Sequence, residues 1–131
     1  MDDAVRHALA TDLTVDITTQ GRRSGQPRRI EIWLVHVDGR LFITGTPGPR
    51  GWLANLRSEP RLTLRLKQGV HAELDARATE VTDPDLRRHV LSHPATAWYR
   101  HQVELDDLVA RAPMVELTFA NCASSPPTVR M

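Results

Sequence analysis

Ten residues of this sequence carry a concentration of positive charge that the whole chain does not share. Residues 20–29 read QGRRSGQPRR, although the 131 residues together hold 17 Lys and Arg against 16 Asp and Glu. The arginines of this stretch are Arg22, Arg23, Arg28 and Arg29. Clustered guanidinium groups repel one another, and their geometry suits phosphate and carboxylate oxygens. The stretch therefore indicates either an anion-binding turn or a solvated hairpin whose charges protect a strand edge.

The turn also contains residues that allow the backbone itself to take part in anion binding. Gly21 and Gly25 permit a sharp bend, and the Ser24 hydroxyl adds a polar group beside the arginines. A second loop, TGTPGPRGW at residues 44–52, combines glycines, threonines and an arginine with the predicted start of a helix. Such a combination is typical of anion sites. Pro47 and Gly48 would also occur in an ordinary turn, so that interpretation stays open.

Large aromatic side chains supply the other candidate binding groups. They are Trp33, Trp52, Trp98 and the single tyrosine, Tyr99. Such side chains form either the wall of a flat pocket or part of the core. Asn55, one helical turn after Trp52, either binds a ligand or caps the local helix, and His101 lies close to Tyr99 in sequence.

Several common catalytic signatures are missing from the sequence. It contains no GxSxG, HExxH, GxxxxGK[ST] or CxxC pattern. His89 and His93 are one turn apart on a predicted helix, but no third ligand is placed beside them by the sequence. No metal site is therefore predicted.

The hydrophobic pattern predicts a mainly β protein with inserted helices. Alternating apolar residues and turn signals predict strands at residues 13–20, 28–37, 40–46, 61–67, 70–81 and 113–120. Helices are expected at residues 2–10, around 51–59, at 82–91 with Thr82 as the cap, and over most of 96–112. Consecutive hairpins with few crossovers favour six antiparallel strands closed into a small barrel.

Length and composition limit the organisation of the chain. Its 131 residues are enough for a single domain, expected over 1–120, with 121–131 as a flexible tail. A net charge of +1 gives no reason to expect nucleic-acid binding, and the acidic start MDDAVRHALATDL resembles neither a signal peptide nor a membrane anchor. Cys122 is the single cysteine, which suits a reducing compartment, so a cytoplasmic protein is expected.

The two loops together resemble a known family. TTQGRRSGQPRR, followed by a strand and then TGTPGPRGWLANLRSEPRLTL, is similar to the deazaflavin-dependent nitroreductases and quinone reductases, which use coenzyme F-420. The resemblance covers residues 13–120 and implies a six-stranded antiparallel split β-barrel of the FMN-binding type. This sequence departs from the family in the second loop, where it has Thr-Pro-Gly-Pro-Arg in place of a lysine-containing Ser-Lys-Gly-Gly-like segment.

The resemblance also implies roles for individual residues. The charged turn would bind the phosphodiester and acidic tail of the coenzyme, and the second loop would line its ring. The implied coenzyme-binding residues are Arg22, Arg23, Ser24, Arg28, Glu31, Thr44, Gly45, Thr46, Pro47, Gly48, Arg50, Trp52 and Asn55. Tyr99 is the implied catalytic residue, and the implied substrate-pocket residues are Trp33, Trp98 and His101.

The implied reaction is hydride transfer from reduced coenzyme F-420 to a small quinone, nitroaromatic or enone by a monomer or homodimer. Such an enzyme chiefly orients its reactants in a dry cavity. Two alternatives stay open from the sequence. One is a split-barrel oxidoreductase that uses FMN, and the other is a non-catalytic carrier of an anionic cofactor.

Overall fold

A computed structural model describes residues 2–119, which form a mainly β structure with five α-helices. The helices are α1 (Asp3–Thr11), α2 (Gly51–Ser58), α3 (Pro84–Ser92), α4 (Ala97–Gln102) and α5 (Leu105–Arg111). The strands are β1 (Thr14–Gln20), β2 (Pro27–Trp33), β3 (Val35–Val37), β4 (Arg40–Thr44), β5 (Arg61–Leu66), β6 (Ala72–Glu80) and β7 (Met114–Phe119). The tail predicted at residues 121–131 lies outside the described residues.

The expectation of six strands was wrong, because the predicted strand at residues 28–37 is divided at Leu34. The backbone N–H of Leu34 donates to the carbonyl oxygen of Leu13 at 2.7 Å. Before this point the chain pairs with β1, and after it the chain pairs with β4. The apolar alternation also shifts by one residue here, from Ile30, Ile32 and Leu34 to Val35 and Val37, which is a local sign of the division.

The seven strands form one antiparallel sheet in the order β2-β1-β5-β6-β7-β4-β3. Strands β2 and β3 lie at opposite edges of this order, although Leu34 alone separates them along the chain. The sheet must therefore curl until its two edges meet. This curled antiparallel sheet confirms the predicted barrel-like, mainly β fold.

Two apolar clusters hold the curled sheet and its helices together. The first fills the inside of the sheet with residues such as Val15, Ile17 and Leu64, and it includes Trp52 of α2. The second packs Phe42 against α3, α4 and α5, and it includes Tyr99. Trp52 is 8% exposed and Tyr99 is 5% exposed, so each of these aromatic residues is held in a different cluster.

The segment from residue 82 to residue 112 is mostly helical, as expected, but its boundaries differ from the prediction. The cap of α3 is Asp83 rather than Thr82, because the Asp83 side chain accepts a hydrogen bond from the Asp85 N–H at 3.1 Å. Helix α4 ends where Val103 adopts extended backbone angles. The short α4 thus carries Trp98 and Tyr99 as a separate unit.

Candidate functional site

The arginine-rich stretch is a compact turn between β1 and β2. The Gly21 N–H donates to the Gln26 carbonyl and the Gly25 N–H donates to the Gly21 carbonyl, both at 2.8 Å. Gly25 has a φ of 70°, which favours glycine. A Cβ on Gly21 would lie 2.8 Å from the Ser24 Oγ and 3.1 Å from the Gln26 oxygen. The backbone conformation therefore requires glycine at position 25, and the close approach of Ser24 and Gln26 favours glycine at position 21.

Asn55 connects this turn to the rest of the molecule. Its side-chain oxygen accepts a hydrogen bond from the Arg22 backbone N–H at 3.1 Å, and its amide donates to the Thr19 hydroxyl at 3.1 Å. Asn55 is 6% exposed. Through these two hydrogen bonds, Asn55 of α2 fixes the start of the arginine turn relative to the end of β1.

Asn55→Ala is expected to destabilise the protein by about 1–3 kcal/mol, because it leaves the Arg22 N–H and the Thr19 hydroxyl without their partner. Asn55→Asp keeps the acceptor for Arg22 and should recover part of the loss. Chemical denaturation of both variants measures the effect. An Asn55→Ala variant within about 0.5 kcal/mol of the wild type would contradict this role.

The charges of the arginine turn have no acidic partner in the part of the chain that the structure describes. Within residues 2–119, the ion pairs that involve arginine use other positions, such as Arg40 with Glu116 and Arg57 with Glu80. The turn instead borders a cavity of about 340 Å³. The residues that line it are Thr19, Gly21, Arg22, Arg23, Ser24, Arg28, Ile30, Gly51, Trp52 and Asn55.

We name this the arginine cavity. Gly51 and Trp52 are the first residues of α2, whose first turn contains no acidic residue. The positive end of the helix dipole therefore adds to the field of the guanidinium groups. Arg29, the neighbour of Arg28, is not among the lining residues, because successive side chains of a strand point to opposite faces.

A second cavity of about 330 Å³, which we name the ring pocket, shares Trp52 with the arginine cavity. Its lining residues are Glu31, Ile32, Trp33, Thr44, Gly45, Thr46, Arg50, Trp52, Trp98 and Tyr99. The loop that follows β4 forms one side. The Arg50 Nη2 donates to the Thr46 carbonyl oxygen at 2.8 Å and to its hydroxyl at 3.1 Å, so Arg50 shapes this loop.

Three aromatic side chains form the opposite side of the ring pocket. Trp33 and Trp98 meet edge to face with 5.1 Å between ring centroids, and Tyr99 lies 5.9 Å and 5.4 Å from them. Trp33 is 43% exposed and Trp98 is 50% exposed. Large aromatic surfaces left in contact with solvent around a cavity are typical of a binding site.

The hydroxyl of Tyr99 keeps its proton over a wide pH range. Burial raises the pKa of Tyr99, and the nearby Arg50 charge opposes this effect only in part. In residues 2–119, this hydroxyl makes no hydrogen bond to a protein atom, so it can donate one to a ligand in the ring pocket.

The titration of Tyr99 can be measured directly because it is the only tyrosine in the chain. We expect the ultraviolet absorbance of tyrosinate to appear at higher pH in the folded protein than in protein unfolded with guanidinium, because burial raises the folded-state pKa above 10.0. Since the folded pKa exceeds the unfolded one, stability should fall as pH rises past the unfolded value. Equal midpoints in the two states would contradict the buried environment.

The remaining predicted site residues lie at the edges of this arrangement or outside it. Glu31 lines the ring pocket but also accepts a hydrogen bond from Lys67 at 2.5 Å. Pro47 lines a further cavity beside Trp98, and Gly48 lines one behind the loop. His101 is exposed on α4 and lines neither the ring pocket nor the arginine cavity.

Thr19, Ile30 and Gly51 line the arginine cavity, although sequence reasoning did not select them. Ile30 is paired with Ile17 and has the same apolar pattern as a core residue, so its 37% exposure could not be predicted. No group of three or more potential metal ligands occurs among residues 2–119. His89 instead contacts Asp38, with 2.5 Å between Nε2 and Oδ2.

The chain belongs to the F-420H(2)-dependent quinone reductase family, whose model matches residues 4–108. It is therefore an oxidoreductase whose cofactor is the reduced deazaflavin coenzyme F-420. The match includes both loops that carried the resemblance in the sequence, which confirms the predicted family, enzyme class and cofactor.

Solved structures show the same fold at low sequence identity. A FAD-binding protein from Mesorhizobium loti matches with a TM-score of 0.67 and 17% identity, over 92% of this chain and 91% of that one. A conserved hypothetical protein from Mycobacterium tuberculosis matches with a TM-score of 0.71 and 16% identity, over 100% and 93% of the two chains.

A third solved structure is that of a Clostridium acetobutylicum protein of the pyridoxinephosphate oxidase family, which is related to general stress protein 26. It matches with a TM-score of 0.67 and 14% identity, over 88% of this chain and 80% of that one. These similarities establish the split-barrel fold. Among the helices of residues 2–119, none is both long and apolar enough to cross a membrane.

The chemistry of the site suits the coenzyme of this family. A deazaflavin coenzyme joins a flat ring system to a chain that carries a phosphodiester and carboxylates. The ring pocket offers aromatic walls, and the adjoining arginine cavity offers guanidinium groups that no carboxylate of residues 2–119 neutralises. The residues present therefore fit both halves of the coenzyme.

Proposed function

We propose that this protein transfers a hydride from reduced coenzyme F-420 to a quinone, and that nitroaromatics and enones are further acceptors. The observation that carries the proposal is that the two cavities adjoin at Trp52, which lines both. A cavity lined by arginines that have no acidic partner in residues 2–119 adjoins an aromatic pocket. The coenzyme has a matching arrangement, because its anionic chain is joined to its flat ring.

The arginine cavity would hold the anionic chain of the coenzyme. The side chains of Arg23 and Arg28 make no hydrogen bond or ion pair within residues 2–119, so their donors can bind phosphate or carboxylate oxygens without breaking an existing one. Asn55 fixes the turn before the coenzyme arrives. Binding therefore requires little rearrangement, which favours affinity.

The ring pocket would orient the reactants and limit their contact with water. When bound there, the coenzyme supplies the hydride. Trp33, Trp98 and Tyr99 supply flat surfaces, and the neutral Tyr99 hydroxyl can donate a hydrogen bond to an oxygen of the acceptor. Reduction of a quinone to the hydroquinone consumes a hydride and a proton, and Tyr99 is the proposed donor at the acceptor oxygen.

The reaction is tested by mixing the protein with reduced coenzyme F-420 and menadione without oxygen, while the absorbance of the oxidised coenzyme is followed. We expect catalysed oxidation, reduced about 10²- to 10⁴-fold in kcat by Tyr99→Phe if its proton is transferred in the transition state. Oxidation without protein is the control. If the protein binds the coenzyme but no acceptor in a broad panel is reduced, the proposal fails.

The use of FMN is a separate alternative with a different expected result. FMN carries one terminal phosphate, whereas the arginine cavity is lined by three arginines without acidic partners in residues 2–119. We therefore expect coenzyme F-420 to bind at least tenfold more tightly than FMN, from one additional charge-assisted contact of about 1.5–3 kcal/mol. Competition of FMN against bound coenzyme measures this ratio, and tighter binding of FMN would favour the alternative.

A further inference from the structure

A third cavity of about 470 Å³, which we name the outer groove, lies beside the ring pocket. It is lined by Thr46, Pro47, Trp98, Gln102, Val103, Asp107 and Arg111. It shares Thr46 and Trp98 with the ring pocket and shares no lining residue with the arginine cavity. The ring pocket therefore lies between a cationic cavity on one side and the outer groove on the other.

The sizes of the cavities limit where two reactants can lie. The ring pocket, at about 330 Å³, is near the lower end of the usual range of about 300–1,000 Å³ for a single small-molecule site. A tricyclic ring would occupy much of this volume, so only the reacting carbonyl or nitro group of an acceptor would reach Tyr99 there. An acceptor that must contact the ring therefore needs adjoining space, and the outer groove provides it beside Trp98.

The outer groove offers hydrogen-bond donors without a net charge. The Gln102 side chain is exposed and makes no hydrogen bond within residues 2–119, so its amide N–H groups are available. Arg111 uses Nε and Nη2 to bind Asp107, at 3.1 Å and 2.6 Å, so the two charges compensate each other. Half-exposed Trp98 adds an aromatic surface. These groups suit a neutral aromatic ring that carries oxygen acceptors.

We propose that the outer groove binds the part of the acceptor that extends from the ring pocket, and that Gln102 is a specificity-determining residue. This inference rests on the proposed function, because it concerns the second reactant of that reaction. It replaces His101 with its neighbour Gln102 as the residue of α4 that contacts the acceptor.

Steady-state kinetics of two adjacent variants tests the proposal. Gln102→Ala removes a hydrogen-bond donor and should raise the KM for menadione about three- to tenfold, while the affinity for the coenzyme stays unchanged. His101→Ala is the matched control, because His101 is exposed on the same helix but does not line the outer groove. Equal effects of the two variants, or an effect of His101→Ala alone, would overturn the assignment.

Direct binding provides a readout that does not depend on turnover. The indole N–H signals of the protein saturated with oxidised coenzyme are recorded by NMR during titration with menadione, and Trp98→Phe identifies the Trp98 signal. We expect a saturable shift of that signal, with weaker binding in Gln102→Ala and unchanged binding in His101→Ala. A shift confined to other tryptophans would overturn the outer-groove site, whereas failure to bind the coenzyme would overturn the proposed function itself.

Discussion

Replacement of Arg23 and Arg28 together by alanine is expected to weaken binding of oxidised coenzyme F-420 by about 10²- to 10⁴-fold. Each guanidinium would contribute one charge-assisted hydrogen bond, of about 1.5–3 kcal/mol. Both residues line the arginine cavity, and their side chains make no hydrogen bond or ion pair within residues 2–119 that their loss would break. The free energy of unfolding should therefore change little, or rise slightly as repulsion between the arginines is relieved.

Arg29→Ala is the matched control for this double variant. Arg29 follows Arg28 on β2 but does not line the arginine cavity, and it pairs with Thr18 where Arg28 pairs with Thr19. Fluorescence quenching by the coenzyme, measured at low and high salt, gives the affinities. We expect the salt dependence to decrease in the double variant and to persist in Arg29→Ala. Equal losses in both variants would show that only the general charge of the turn matters.

The second large effect is expected from Arg87→Ala, which should lower the free energy of unfolding by about 3 kcal/mol. Arg87 is 9% exposed and donates to the carbonyl oxygens of Val81, Leu108, Val109 and Ala112. These carbonyls lie at the end of α5 and beside β6. Burial lowers the pKa of Arg87, but removal of the guanidinium leaves several buried acceptors without donors, and that loss dominates.

Arg88→Ala is the control for this stability prediction. Arg88 is the next residue of α3, but its ion pair with Asp106 is exposed and should contribute less than about 1 kcal/mol. Thermal and chemical unfolding should separate the two variants clearly, with a Tm reduced by roughly 10 °C for Arg87→Ala. If Arg87→Ala and Arg88→Ala have similar stability, the hydrogen bonds of Arg87 make no net contribution to the free energy of unfolding, and the prediction is wrong.

The parts of the fold that follow from local rules could be predicted from the sequence. Alternation of apolar residues placed most of the strands, and the Asp38-Gly39 pair predicted the hairpin between β3 and β4. The division at Leu34 could not be predicted, because it depends on which strands lie next to each other after the sheet curls. The apolar alternation does shift by one residue between Leu34 and Val35, but a bulge within one continuous strand would give the same shift.

The candidate site, too, could be predicted only where its features are local in the sequence. The charge and glycines of the arginine turn were visible in the sequence because both are local features. The role of Asn55 was left open, because its partners Thr19 and Arg22 are 36 and 33 residues away. Sequence reasoning selected His101 and not Gln102, the residue that lines the outer groove, because a short helix does not show by sequence which neighbour lines a cavity formed with a distant loop.

A crystal structure of the protein with oxidised coenzyme F-420 tests the central claim most directly. The account predicts the deazaflavin ring in the ring pocket beside Trp33 and Trp98, and the phosphodiester or acidic tail within hydrogen-bonding distance of Arg23 and Arg28. Electron density for the coenzyme at another surface, with both guanidinium groups in solvent, would contradict it.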